Sequence, residues 1–426
     1  MKNYFLLIAF IVNISVFAQN KSNIINVAEV ERIITTLASD DMQGRRAGTP
    51  SIDKAAGFIE QEFKKAGLQP LNGTSYLQPF TMLRPKQKKV KAELDDVQID
   101  ANRVVVITSK NDLKVNEKSG YKQHAINGAD GADIQSFFTK ARNIVAANEN
   151  AVVFVDQSLS AHFSRLPNLK RQIFSSPDII FVLGSFTKEF TIKAEHDFDE
   201  INYANVVGVL PGKSNSKEQV IFSAHYDHMG IGKAVNGDSI YNGANDNASG
   251  TTAVILLANH FKALNNNERT LIFVAFTAEE MGMFGSQFFS KQINPQDVVA
   301  MVNIEMIGTD SKFGKNSAFI SGYERSDLGK ILQKNLEGSA FSIHPDPYPD
   351  LQLFYRSDNA TMARLGVPAH TVSTSKMDVE PHYHKVSDET STLDLQNMTE
   401  IIKAIAESTK SLINKKDTPS RVSGEM

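Results

Sequence analysis

Apolar residues recur along this chain with two periods, and the changes of period mark out its elements. Val27, Val30, Ile33, Ile34 and Leu37 fall on one helical face, which predicts a helix over 27–37. A glycine-rich loop follows, Gly44 to Pro50. Thr49 is placed to cap a second helix with Pro50 in its first turn; Ala55, Ala56, Ile59 and Phe63 turn inward and Gly67 ends it. From about 76 to 197 the texture changes. Short strands at 104–108, 151–155 and 178–183 lie among segments of alternating charge, with helical spacing at 137–148. Beyond Asn205 strand and helix alternate: strand at 220–223, helix at 249–264, strands at 270–276, 298–304 and 318–321, a short helix to Gly366, strand at 367–372, and a long helix at 392–413.

That alternation predicts an α/β fold, a mostly parallel mixed sheet flanked by helices on both faces. Residues 19–79 and 201–414 form it. Residues 80–200 are expected to be an inserted smaller α+β or β domain that borders or covers a site built elsewhere. Residues 415–426 are polar and read as a disordered tail. At the other end Lys2, the apolar run at 4–17 and Val16-Phe17-Ala18 read as a signal peptide over 1–18. The run is shorter than the ~20 residues a membrane span needs. The expected location is therefore secreted or periplasmic, with no stable membrane insertion after cleavage.

Composition narrows the chemistry. The 426 residues are 41% hydrophobic and 22% charged, with a net charge of -3, which gives no sign of a nucleic-acid partner. The five positive charges between Arg84 and Lys91 read as a solvated run. There is no cysteine, so disulfides, thiolate catalysis and cysteine-bound zinc are excluded. Any metal must be held by histidine and carboxylate.

Such residues cluster at strand ends. His225 follows one expected strand, Glu279 and Glu280 a second, and Glu305 ends a third. In open α/β sheets, ligands bind beyond the carboxyl ends of the strands. Singly, each has an ordinary reading: Thr277 and Glu280 fit a helix capping box, and Asp246 or Ser249 can cap the helix after it. His124, His162, His196, His260 and His344 are taken as ordinary polar residues. A cap needs neither two consecutive glutamates nor a His-x-Asp pair at the preceding strand end. His225, Asp246, Glu280, Glu305 and His384 supply two imidazoles and three carboxylates, a set suited to two Zn²⁺ ions. Glu279 is left as a base and Asp227 as a partner that orients His225. His382 and His384 share a face of an extended segment, so spacing leaves both open as the last ligand. Tyr355 is either a donor to an oxyanion or a packing residue.

Five stretches together resemble the M28 family of zinc metallopeptidases, of the di-zinc aminopeptidase type. They are Ala224-His225-Tyr226-Asp227-His228, Gly243 to Gly250, Ala278-Glu279-Glu280-Met281-Gly282, Asn303 to Gly308, and Tyr383-His384-Lys385-Val386-Ser387-Asp388. The likeness extends to 37–67 and 356–368. Residues 140–155 are weakly similar to a protease-associated domain. The resemblance implies that Asp246 bridges two zinc ions, with His225 and Glu305 on one and Glu280 and His384 on the other. It makes Glu279 the general base and Asp227 the partner of His225, and it implies a cis peptide bond between Asp246 and Asn247. Two positions depart from the family: Glu305 stands where Asp is usual, and Asn359 where His is frequent. The implied function is an exported zinc-dependent exopeptidase, an aminopeptidase acting on peptides through a metal-bridging hydroxide. Carboxypeptidases, one-zinc glutaminyl cyclases and inactive peptidase-like binding modules share the fold and are the alternatives. No motif speaks to side-chain preference or oligomeric state.

Overall fold

The computed structural model describes residues 24–129, 133–147, 149–170, 174, 177–214 and 217–422. The expected signal peptide lies outside them. Two compact units emerge. One takes the chain up to Gln78 and again from Ala204; the other is Pro79–Tyr203.

In the first unit the strands lie in the order Ser342–Pro345, Ser317–Ile320, Ala369–Ser373, Val298–Glu305, Gln219–His225, Thr270–Phe276 and then residues 206–210. Neighbours from Ala369–Ser373 to Thr270–Phe276 are parallel. The contacts of Ser317–Ile320 with Ala369–Ser373 and of residues 206–210 with Thr270–Phe276 are antiparallel. The mostly parallel mixed sheet is therefore as expected.

Alternation along the strands separates two apolar layers. Phe222, Phe273 and Val302 face one way, against Ile34, Phe63, Leu257 and Ile401 of four helices: Val27–Leu37, Pro50–Ala66, Gly250–Leu264 and Leu395–Ser408. Ile221, Ile272 and Met301 face the other way, against Phe289 of helix Phe284–Ser290 and Met362 of helix Asn359–Ala363. Each fully buried side chain of this size contributes roughly 1.5–3 kcal/mol. On the second face the apolar rows give way to polar ones near the strand ends. Ser223, Asn303 and Thr371 are in register across three strands. The Ser223 hydroxyl donates to Asn303 Oδ1 at 2.8 Å, and Asn303 Nδ2 donates to Thr371 Oγ1 at 3.1 Å. Two residues on, the same alternation delivers His225, Glu305 and Ser373 to the carboxyl edge.

Some local expectations change. Thr49 does not cap the second helix; its hydroxyl donates to the Arg46 carbonyl at 2.6 Å. The long last helix is broken at Thr409 into Leu395–Ser408 and Lys410–Ile413. The expected disordered tail is corrected for residues 415–422. Buried Arg269 needs acceptors, and it donates to the carbonyls of Leu412 and Asp417 and to the Thr418 hydroxyl, each at 2.6 Å. Arg421 then donates to the Val298 carbonyl at 2.9 Å.

The second unit has a four-stranded sheet in the order Val104–Ile107, Ile179–Leu183, Ala151–Val155, Lys122–Ile126. Helix Ile134–Ala146 packs on it through Phe137. Asp112–Asn116 pairs antiparallel with residues 191–195. Among the described residues, no metal-type cluster of histidines and carboxylates falls in this unit.

The glycine-rich loop near the N-terminus serves the site. Gly44 has φ +66°, and a Cβ there would meet the Tyr241 carbonyl at 2.4 Å. The next residue, Arg45, is fully buried. It donates to the carbonyls of Tyr226 (2.8 Å), Leu37 (2.6 Å), Asn242 (2.7 Å) and Gly243 (3.0 Å). One side chain thus ties the end of strand Gln219–His225 to the loop that precedes Asp246. Burial pulls its guanidinium down to about 10, against the opposing pull of Asp388, Asp227 and Asp246, so it stays charged. Arg45→Met leaves these carbonyls without donors. It should cost roughly 3 kcal/mol or more, read as a lower denaturation midpoint; an unchanged midpoint would refute the anchoring role.

Candidate metal centre

Asp246 sits on a loop that is sewn down on all sides. Gly243 opens it with φ +55°; a Cβ there would meet the Asp246 carbonyl at 2.2 Å and the His228 ring at 2.5 Å. The Asp388 carboxylate accepts the N–H groups of Asn245 (2.8 Å) and Asp246 (3.0 Å). Asn247 donates to the Ile304 carbonyl (2.9 Å) and accepts from the Met306 N–H (3.2 Å). Asn245 Oδ1 accepts the Gly308 N–H at 2.8 Å. The loop is therefore locked to the strand end that carries Glu305. The Asp246–Asn247 peptide is cis. Ala278, Met306 and His384 are non-glycine residues with φ between 51° and 55°. They sit directly at Glu279, Glu305 and the His384 imidazole, and such conformations concentrate at functional sites.

The side chains converge around Asp246. Its Oδ1 lies 3.4 Å from His225 Nε2, which is 3.0 Å from Glu305 Oε1. Its Oδ2 lies 3.2 Å from His384 Nε2, which is 3.3 Å from Glu280 Oε2. One carboxylate thus faces two separate groups of donors, one through each oxygen. His225 Nδ1 lies 3.0 Å from the Asp227 carbonyl. A carbonyl only accepts, so Nδ1 carries a hydrogen toward it and Nε2 is the ring atom turned to the carboxylates. Glu279 Oε2 is 4.0 Å from that same Nε2. Behind Glu305, the Ser357 hydroxyl donates to Oε2 at 2.8 Å and accepts from Asn303 Nδ2 at 2.9 Å. The polar row across the sheet therefore ends on a carboxylate of the cluster.

Residues 205–409 match the family model described as Peptidase family M28. These residues belong to peptidase family M28. The chain is similar to a "Probable leucine aminopeptidase" of Trichophyton verrucosum (strain HKI 0517), 32% identical over 218 residues, 49% of this chain and 57% of that protein. It is also similar to "Aminopeptidase YwaD" of Bacillus subtilis (strain 168), 23% identical over 282 residues, 63% of this chain and 53% of that protein. The chain spans about half the length of the curated relatives it matches. A zinc aminopeptidase structure from Bacillus subtilis shares the fold, with a TM-score of 0.57 at 16% identity, covering 94% of this chain and 98% of that one.

Within the M28 region several placements differ from the sequence reading. The Asp227 carboxylate lies 3.8 Å from His225 Nδ1 and instead accepts the N–H groups of Glu279 (3.1 Å) and Glu280 (3.4 Å). It thus holds the backbone of both glutamates, while its carbonyl orients His225. Tyr355 is not among the cavity residues; it packs edge-on against Phe354 at 4.8 Å beneath Arg325 and Arg364. The tyrosine that does line the cavity is Tyr383, stacked on His384 at 3.9 Å. His382 bonds the Ser387 hydroxyl at 3.0 Å, and His384 faces Asp246 and Glu280. Asn359 is tied into the network, donating to the carbonyls of Phe354 and Ala369 and accepting from Thr371. His228, outside the ligand set expected from the sequence, also joins the cluster. Its Nδ1 is 2.8 Å from Glu280 Oε1 and 3.9 Å from Asp246 Oδ2, its ring is wholly buried, and Nε2 has no hydrogen-bond partner among the described residues. His225, Asp246 and Glu305 form one metal-sized group; His228, Asp246 and Glu280 form another. The available signal was its position three residues after His225.

Charge crowding sets the protonation of the M28 centre. Burial works against charge on His225, but Glu305, Glu279 and Asp246 outweigh it and hold the imidazole well above its ordinary value. For His384 burial is likewise outweighed, by Asp246 and Glu280, and the imidazole is pushed up to about 10. Burial lifts Glu279 well above the usual carboxylate range, with Asp358 and Glu305 adding to it. Burial also lifts Asp227 to about 6, Asp358 to about 7 and Asp388 to about 6. Acids with raised folded values bind more protons folded than unfolded, so their stabilisation is lost as pH rises from about 4 to 7. The raised imidazoles lose theirs as pH climbs from about 6.5 toward 10. Both run the same way. The thermal midpoint of chelator-treated protein should therefore fall from pH 5 to pH 8; a midpoint that rises over this interval would contradict the assignment.

Proposed function

We propose that this chain is a zinc-dependent aminopeptidase that removes the first residue of a peptide. The observation that carries the reading is the divided Asp246 carboxylate, with Oδ1 toward His225 and Glu305 and Oδ2 toward Glu280 and His384. Imidazole and carboxylate donors, with no cysteine in the chain, suit zinc. His225, Asp246 and Glu305 would hold one ion, and Asp246, Glu280 and His384 the other. His228, behind Glu280, would fix that carboxylate's direction. Bound zinc supplies Lewis acidity toward the scissile carbonyl and lowers the pKa of water.

The rest of the reaction belongs to this chain's own residues. The Glu279 carboxylate lines the cavity beside His225, and among the described residues it makes no hydrogen bond or ion pair shorter than its 4.0 Å approach to that ring. It takes a proton from the attacking water and delivers it to the leaving amine. Asp227, through two backbone N–H groups, keeps Glu279 and Glu280 aimed at their places. Tyr383, which lines the cavity where Tyr355 does not, is the tyrosine that would donate to the oxyanion. The names of two relatives, a leucine aminopeptidase and an aminopeptidase, agree with this reading. Export by the segment at 1–18 completes the proposal.

A peptide panel tests it, each peptide offered with free or acetylated amino end and free or amidated carboxyl end. Trimming should require the free amino end and proceed residue by residue, as read by mass spectrometry; trimming from the carboxyl end would overturn the aminopeptidase reading. Glu279→Gln should keep its metal content but lose at least about a hundredfold in turnover. Full activity in that variant would remove Glu279 from the base role.

A further inference from the structure

The cavity above the metal centre has two chemically different ends. One is the wall of Asp246, Glu279, Glu280 and Glu305. The other follows the sheet outward from Glu305. Ser373 is its register partner on the next strand, and Ser321 lies one strand further, its N–H bonded to the Thr371 carbonyl. Both serines are almost fully buried and line the cavity. Each hydroxyl oxygen accepts a main-chain N–H: Ser321 from Thr371 at 3.3 Å, Ser373 from Ser375 at 3.2 Å. Neither hydroxyl hydrogen has an acceptor among the described residues. The neighbouring hydroxyls are different. Thr371 already donates to Asn359, Ser357 to Glu305, and Ser375 to Met377. Two free donors are thus left facing the cavity.

A cation joins them. Arg356 is the single lysine or arginine among the cavity residues. Arg356 is exposed to solvent, and its guanidinium makes no hydrogen bond or ion pair among the described residues, although four carboxylates line the same space. Nearby Arg325 and Arg364 are engaged, lying over the rings of Phe354 and Tyr355. An apolar pocket for leucine needs neither unspent hydroxyl donors nor a free guanidinium. A carboxylate needs both, because it only accepts, and arginine meets it with two parallel donors. Phe319 and Met306 supply apolar wall for the methylenes that carry such a group.

We propose that this end of the cavity reads a carboxylate of the substrate, with Arg356 as the specificity-determining residue and Ser321 and Ser373 as its supporting donors. The inference rests on the peptidase reading above. The carboxylate comes from an acidic first side chain or from the free terminus of a short peptide, and the test separates the two.

The first arm compares kcat/KM for peptides that begin with Glu, Gln or Leu, identical beyond that residue and amidated at the carboxyl end. Glu should exceed Gln by about tenfold or more. Arg356→Gln should bring the Glu-to-Gln ratio close to one, and Arg356→Lys should restore part of it. The second arm uses Leu dipeptides with free or amidated ends. A preference for the free end that vanishes in Arg356→Gln assigns the carboxylate to the terminus. The third arm needs no turnover: calorimetry with L-glutamate, L-glutamine and L-leucine on wild type and Arg356→Gln. Tighter binding of glutamate that is lost in the variant upholds carboxylate recognition even where no peptide is cut from its amino end, which separates this inference from the aminopeptidase reading. Equal treatment of Glu, Gln and Leu in the first and third arms together with no preference for the free carboxyl end in the second, or preferences that Arg356→Gln leaves unmoved, would overturn it.

Discussion

A carboxylate with almost no exposure to water is costly unless its surroundings replace the lost hydration. Asp246 is 3% exposed, and Asp227, Asp358 and Asp388 are buried around it. The architecture of the first unit answers this one constraint. Asp388 is spent on the backbone of the Asp246 loop and Asp227 on the backbone of the two glutamates. Arg45 adds a buried positive charge beneath them and ties four carbonyls together. The imidazoles of His225 and His384 offset the charge from the cavity side, and His228 lies behind Glu280.

The sheet is the device that makes such crowding precise. Parallel strands in register put Ser223, Asn303 and Thr371 side by side, two residues short of the edge. Their mutual hydrogen bonds, continued by Ser357 to Glu305, leave that glutamate little freedom. The longer side chain at this position therefore has a partner for its far oxygen. The same row, carried one and two strands outward, becomes the floor of the cavity at Ser373 and Ser321. The candidate metal centre and the proposed carboxylate subsite are thus two stretches of one polar strip on an otherwise apolar sheet face.

Much of this was legible in the residues themselves. Strand and helix periods, the strand-end positions of His225, Glu279, Glu280 and Glu305, and the absence of cysteine together implied a histidine and carboxylate site on a mostly parallel sheet. These features are local, since side-chain period and donor type are written in short stretches. What stayed hidden depended on contacts between distant stretches. His228 lies three residues from His225, yet its relation to Glu280 spans 52 positions. Tyr355 and Tyr383 are equally plausible in text, and only packing puts one on Phe354 and the other at the cavity.

Periodicity and residue chemistry alone therefore determined the fold class, the kind of ligand atoms available, and which strand ends bear them. The tertiary structure alone decided which oxygen of Asp246 faces which imidazole, that the Asp227 carboxylate holds backbone rather than a ring, that the segment at 415–422 is bound through Arg269, and that Arg356, among the described residues, is left without a partner at the cavity. The physical reason is common to all four. Each depends on a hydrogen-bond donor and acceptor brought together, or kept apart, by chain segments far removed in sequence, and no local pattern records whether that partner arrives.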